Sequence, residues 1–80
     1  MNNIQLDTLR RVNTFLKSAA ASVGDTLNDE IARAPFYGQE SIEGTIIRFD
    51  ADNLRYARNS INDAMKNIEY IIKRHEDLDR

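Results

Sequence analysis

The only proline of this 80-residue chain lies within the run Ala-Pro-Phe-Tyr-Gly-Gln at residues 34–39. On both sides of this run, apolar residues recur every three or four positions, which is the spacing of a helix with one apolar face. Proline disfavours helical geometry in the residue before it and has no amide hydrogen with which a helix could continue. The sequence therefore predicts an all-α helical hairpin, within a single helical domain over residues 1–80. Its parts are a helix over about 4–33, a turn over 34–41, a helix over about 42–76 and a frayed tail.

The first segment contains one possible interruption, at Gly24. Thr26 followed three residues later by Asp29 resembles a capping box, so that a second helix would restart at Leu27. One glycine costs a helix only about 1 kcal/mol relative to alanine, and the apolar spacing continues through Gly24 in phase. We therefore favour one continuous helix over a three-helix chain broken near Gly24. The apolar positions are Leu6, Leu9, Val12, Phe15, Leu16, Ala19, Ala20, Val23, Leu27 and Ile31.

The second segment shows one slip in its apolar spacing. Ser41 is suited to cap a helix that follows it, and the apolar positions begin with Ile42, Ile46 and Phe49. They resume one residue out of phase, after Asp50. Either the helix continues through the slip, or an aspartate there caps a fresh helix and residues 45–49 are extended. We favour the continuous helix and keep a break near Asp50 as the alternative. The later apolar positions are Leu54, Ala57, Ile61, Ala64, Ile68, Ile71 and Ile72.

Two amphipathic helices of this length cannot enclose a core, because each covers only the stripe that faces the other. The chain is small and has no cysteine for a disulfide, so association is the expected stabiliser. We predict a homodimer in the form of a four-helix bundle, or a higher homo-oligomer. Tyr56 and Tyr70 lie on nearly the same helical face beside the main stripe, where a second hairpin would pack. The residues predicted to carry self-association are Leu9, Val12, Leu16, Val23, Leu54, Ile61, Ile68 and Ile72.

Composition excludes several classes of partner and location. Eleven Lys and Arg residues oppose 13 Asp and Glu residues for a net charge of -2, which argues against nonspecific binding to nucleic acid. The N-terminal residues lack the order of a signal peptide. No uncharged run approaches the ~20 residues of a membrane span. We therefore predict a cytoplasmic protein with no membrane contact.

The chain shows no catalytic constellation, no metal ligands at a recognisable spacing and no phosphate-binding loop. His75 is the only imidazole, and in the last helical turn it is interpreted as a cation near unpaired carbonyl groups. We predict that the protein is not an enzyme and has no cofactor or metal. Arg55, Arg58 and Lys66 form a candidate anion-binding strip on the second helix. They support an alternative function, in which an oligomer sequesters a small anionic ligand such as a nucleotide.

The aromatic pair in the turn, Phe36 and Tyr37, is the candidate site for an outside protein partner. Large, rigid side chains on a short turn make good interface anchors. The alternative is that both pack on the hairpin, and we expect Phe36 to pack and Tyr37 to be exposed. The predicted function is that of a non-enzymatic accessory protein: an inhibitor, adaptor or chaperone of a larger complex, such as a phage anti-defence protein.

Three helical-hairpin families offer partial resemblances. The turn over residues 36–38 resembles the Trp-x-Gly turn of small type VII secreted hairpins, although tryptophan is missing. The positions of Gly24, residues 28–29 and residues 40–41 resemble type III secretion needle subunits. Either resemblance would imply a secretion-system hairpin or a needle-like structural subunit. The pattern over residues 57–68 resembles small phage hairpins that sequester cyclic nucleotides. Amphipathic spacing alone produces each likeness, so the sequence assigns no family.

Overall fold

The computed structural model describes residues 1–38 and 40–78. It confirms an all-α helical hairpin. Helix α1 spans Asn3–Arg33, a 3-10 turn spans Ala34–Phe36, and helix α2 spans Ile42–Leu78. The hairpin is a rod with extents of 58 × 15 × 14 Å. Helix α1 begins one residue before the predicted start and α2 ends two residues after the predicted end, while Gln39 of the predicted turn and residues 79–80 of the predicted tail lie outside the described residues.

Neither of the proposed helix breaks is present. Helix α1 runs through Gly24, and the Thr26 hydroxyl donates to the Ser22 carbonyl oxygen at 2.9 Å instead of capping a new helix. Helix α2 runs through Asp50 without interruption, and the Asp52 carboxylate pairs with Arg55 at 2.8 Å. The three-helix alternative is therefore wrong.

Each helix begins with a side-chain cap. The Asn2 side chain accepts a hydrogen bond from the Gln5 amide at 2.8 Å, and the Gln5 side chain accepts one from the Asn2 amide at 3.0 Å. Such a reciprocal box satisfies two amides that a helix start leaves without partners. At α2 the Ser41 hydroxyl accepts from the Gly44 amide at 3.0 Å, which confirms the predicted cap. One turn into α1, the Asp7 carboxylate pairs with Arg10 at 2.8 Å.

The two helices meet along a continuous seam with the alternating three- and four-residue spacing of a coiled coil. Every seam residue is buried or half-buried, and such spacing keeps one stripe of each helix facing the other. The chain reversal makes the pair antiparallel. The seam residues are Leu6, Leu9, Asn13, Leu16, Ala20, Val23, Leu27 and Glu30 of α1 with Ala34 of the 3-10 turn, and Ile47, Ala51, Leu54, Arg58, Ile61, Met65, Ile68, Ile72 and His75 of α2.

Asn13 is a polar exception in this seam. Its Oδ1 atom is buried and has no hydrogen-bond partner among the described residues. An acceptor left unsatisfied in this way costs about 1–3 kcal/mol, whereas an apolar replacement of similar shape removes the cost. We therefore expect Asn13→Leu to raise the free energy of unfolding by about 1–2 kcal/mol, as measured by urea denaturation.

The exposed Asn59 provides the control for this prediction. Asn59→Leu makes the same replacement on the surface and should change stability by less than about 0.5 kcal/mol. A loss of stability in Asn13→Leu would show that the amide contributes an interaction worth more than the leucine contact.

Within the described part of the chain, no helix is both long enough and apolar enough to cross a membrane.

Candidate binding site at the bend

The bend presents one aromatic side chain to solvent and holds the other against the hairpin. The Tyr37 amide donates to the Ala34 carbonyl oxygen at 3.2 Å, which closes the 3-10 turn that contains Pro35. Phe36 is 85% exposed and Tyr37 is 38% exposed. The expectation that Phe36 packs was wrong, because the turn directs its side chain away from both helices.

Tyr37 lies against the last turn of α1. Its hydroxyl group is next to Arg33, and this interaction, followed by the charge of Glu30, raises the pKa of Arg33 above its ordinary value. The guanidinium also contacts the Glu30 carboxylate at 2.8 Å. Proline on one side and this network on the other leave the turn little freedom, so a partner would lose little entropy in binding it.

A groove opens beside the turn, with a volume of about 480 Å³. Its lining residues are Ala34, Pro35, Tyr37, Gly38, Gly44 and Arg48. A second groove of about 300 Å³ shares Ala34 and Arg48 and continues along the helices past Ile31, Ile47, Ala51, Asp52 and Arg55. The two grooves thus have an apolar floor, and the rim carries Arg48, Asp52 and Arg55. The floor suits an apolar side chain.

The three candidate anion-binding residues do not converge within one hairpin. Arg55 is paired with Asp52 at 2.8 Å, and Arg58 is half-buried in the seam. Lys66 is exposed and lies 11 residues after Arg55, about 16 Å along the helix axis. A shared anion site would need a second chain, so this site stays a prediction. Among the described residues, no group of three or more His, Asp or Glu side chains is placed to hold a metal ion.

Most of the residues predicted for self-association lie in the seam of the hairpin itself. Leu9, Leu16, Val23, Leu54, Ile61, Ile68 and Ile72 are half-buried between α1 and α2. Val12 lies outside the seam and is 38% exposed. Phe15 and Phe49, which belong to the predicted apolar positions of the two helices, are on the surface of the hairpin, where they are 75% and 64% exposed.

No protein-family model, no characterised protein and no solved structure matches this chain in comparisons with known proteins.

Proposed function

We propose that this protein is a non-enzymatic, self-associating accessory protein that binds another protein through the bend of its hairpin. The observation that carries the proposal is the 85% exposure of Phe36 on a turn that its neighbours hold in place. Exposed aromatic side chains that are already ordered are the usual anchors of protein interfaces. An inhibitor, adaptor or chaperone of a larger complex acts by contacts of this kind.

The adjoining grooves specify the partner segment further. Phe36 would insert into the partner, and the apolar floor along Ala34, Ile47 and Ala51 would receive an apolar side chain from it. Arg55 at the rim is already paired with Asp52, and Arg48 donates to the Thr45 hydroxyl, so the grooves specify only the apolar part of the partner segment. The proposed partner segment is therefore apolar.

Self-association is the second part of the proposal, and it is supported by how little of the hairpin is enclosed. Among the described residues, only four hydrophobic residues are buried: Leu6, Leu27, Ile47 and Ala51. Many large apolar side chains are exposed, including Ile4 at 78% and Tyr56 at 71%. A small chain with so little core is usually stabilised by association.

The bend is tested by placing a photo-crosslinking phenylalanine analogue at position 36 in cells that produce the protein naturally. Tyr70, which is 62% exposed and lies towards the open end of α2, provides the control position. We expect a second protein to crosslink to position 36 and not to position 70. Its identity would be read by mass spectrometry.

The affinity of that partner should then depend on the Phe36 ring. Phe36→Ala is expected to weaken binding by at least about 30-fold, because a central aromatic anchor is worth 2 kcal/mol or more. The same variant should keep the helical content and the oligomeric state, because the ring contacts neither helix extensively. If position 36 crosslinks no more than position 70, or if Phe36→Ala binds as tightly as the natural chain, the bend is not the binding site.

A further inference from the structure

The seam divides the rest of the hairpin surface into two long faces. Arg10, Lys17 and Glu69 line one groove along the seam together with Met65. Thr26 and Asn53 line a groove with Leu54 on the other side. Antiparallel helices place like heptad positions next to each other in this way. Each face therefore combines one stripe of α1 with one stripe of α2.

The two faces differ sharply in charge. The first, the charged face, carries ten ionisable side chains: Asp7, Arg10, Lys17, Arg48, Asp52, Arg55, Lys66, Glu69, Lys73 and Glu76. The second, the uncharged face, carries none over its central part. Its residues are Thr8, Val12, Phe15, Ala19, Ser22 and Thr26 of α1 with Asn53, Ala57, Ser60, Ala64, Asn67 and Ile71 of α2.

Solvation does not explain a charge-free stripe in a chain in which 30% of the residues are charged. Ten of the twelve residues of the uncharged face are exposed in the single hairpin, with Phe15 at 75%, and Ala64 and Ile71 are half-buried. Depletion of charge is the compositional mark of the buried centre of a protein interface. In a four-helix bundle each helix contacts two neighbours, so each has two apolar stripes side by side.

The side of the hairpin that carries the uncharged face is large enough for a second copy of this chain. The whole side, 58 by 15 Å, covers about 870 Å², and the uncharged residues occupy its central ~27 Å. A stable interface buries about 800 Å² on each partner. A partner that stabilises so small a core must be present whenever the chain folds, and a second copy of the same chain always is.

Charges around the uncharged face indicate the orientation of the two copies. Arg74 lies beyond its end at the open end of the hairpin, and Arg11 lies beside it, between Thr8 and Phe15. Asp29 and Asp50 lie beyond its other end, towards the bend. All four are exposed, and none forms an ion pair of 4.0 Å or less with a described residue. An antiparallel arrangement brings the basic end of one copy to the acidic end of the other.

A single twofold axis is compatible with both charge pairs. Arg11 and Asp29 are equidistant in sequence from residue 20 of α1, and Arg74 and Asp50 are equidistant from residue 62 of α2. The shared grooves place residue 20 of α1 at about the level of residues 60–62 of α2, because Asn13 lies near Met65 and Ile72, and Thr26 lies near Asn53. One twofold axis through this level therefore serves both charge pairs.

We propose that the uncharged face is the interface of an antiparallel homodimer, in which α1 packs on α1 and α2 on α2 of the second copy. Arg11 then faces Asp29 of the second copy, and Arg74 faces its Asp50. Ala19, Ser22 and Ser60 lie near the twofold axis, where small side chains let the helices approach closely. This inference rests on the self-association proposed above and specifies its surface and its orientation.

The first test introduces a charge at the centre of the uncharged face. Ala19→Glu keeps a good helix former at a position that is exposed in the single hairpin, so the hairpin itself should be preserved. In the dimer it would bury two carboxylates near the axis, and we expect the dissociation constant to rise at least about 100-fold. Ala21→Glu makes the same change two residues away on the other side of α1 and should leave the dimer intact. Sedimentation equilibrium measures the mass of each variant.

The masses of these variants distinguish the uncharged face as the interface from self-association in general. A natural chain with twice the chain mass, a monomeric Ala19→Glu and a dimeric Ala21→Glu would support the uncharged face. An oligomer that Ala19→Glu leaves unchanged would overturn this interface but preserve self-association. If the natural chain is still a monomer at a protein concentration of about 100 μM, which is about 100 times a typical micromolar dissociation constant, both this interface and self-association are overturned.

A charge exchange tests the orientation. Arg74→Asp alone should weaken the dimer, because it places an acidic residue opposite Asp50. Adding Asp50→Arg to the same chain should restore it, because the pair is then reversed rather than lost. A dimer in which the double variant is no tighter than Arg74→Asp alone would overturn the antiparallel arrangement.

Discussion

Leu27→Asp is expected to lower the free energy of unfolding by about 3–5 kcal/mol, the cost of an uncompensated charge in a protein interior. Leu27 is 2% exposed, the lowest fraction among the core residues, and it lies in the seam between the two helices. A domain of this size has a total stability of about 4–12 kcal/mol. The variant should therefore be partly or wholly unfolded at room temperature, with a corresponding loss of helical circular dichroism.

The neighbouring Asn28 allows a closely matched control. Asn28→Asp introduces the same side chain one residue further along α1, at an exposed position, and should change stability by less than about 0.5 kcal/mol. If Leu27→Asp and Asn28→Asp unfold at the same urea concentration, the seam has been placed on the wrong face of α1.

Gly44→Ala is expected to be the second most damaging substitution, with a loss of about 2–4 kcal/mol. Gly44 is buried in the first turn of α2. A Cβ atom at this position would overlap the Gly38 carbonyl oxygen and touch the Ser41 hydroxyl. Both groups belong to the cap of α2, because Ser41 donates to Gly38 at 2.7 Å and accepts from Gly44 at 3.0 Å. The methyl group would therefore displace the turn and break the cap together.

Gly24→Ala makes the same glycine-to-alanine change as Gly44→Ala but is expected to raise the free energy of unfolding. A Cβ atom on Gly24 meets no other atom within 4 Å, and its backbone does not have a positive φ angle. Alanine is the better helix former by about 1 kcal/mol, so this variant should be stabilised by about that amount. Thermal unfolding of both variants would test the pair. A Gly44→Ala protein as stable as the natural chain would contradict the close contact with Gly38.

The bend and the helix ends could be predicted from the sequence because they depend on local chemistry. Pro35 ends a helix whatever lies around it, and Ser41 caps a helix through its own side chain. Asn2 was missed as a cap, although Gln5 three residues later completes a capping box. The structure was needed to decide whether the helices continue or break at Gly24 and near Asp50, because helix continuity there depends on packing along the seam.

The division of apolar residues between two faces could not be predicted by reading each helix as one stripe. Leu16 and Ala20 lie in the seam, whereas Phe15 and Ala19 lie outside it. In α2 the apparent slip near Asp50 is the point where the pattern passes from an outer stripe with Phe49 to the seam. Both stripes have helical spacing, so spacing alone does not distinguish them. Contact with the antiparallel partner helix determines which stripe forms the seam.

The candidate site at the bend was predictable in its residues but not in its geometry. An aromatic pair on a short turn indicates an interface, yet the exposure of each ring depends on the turn type and on the neighbouring side chains. The Tyr37 hydroxyl lies next to Arg33, and nothing in the local sequence specifies that contact. Phe36 has no corresponding contact and is left exposed.

The reversal at the bend also sets the order in which the contacts of the hairpin form. Ile31 and Ile47 line one groove next to the bend and are close in sequence, whereas Arg10 and Glu76 at the open end are 66 residues apart. The entropy of closing a loop grows with the logarithm of its length, so the open-end contact costs about 1.3 kcal/mol more to form directly. Folding is thus fastest by a zipper that starts at the bend, and fraying starts at the free ends. Changes near the bend should act mainly on the folding rate, and changes near the termini mainly on the unfolding rate.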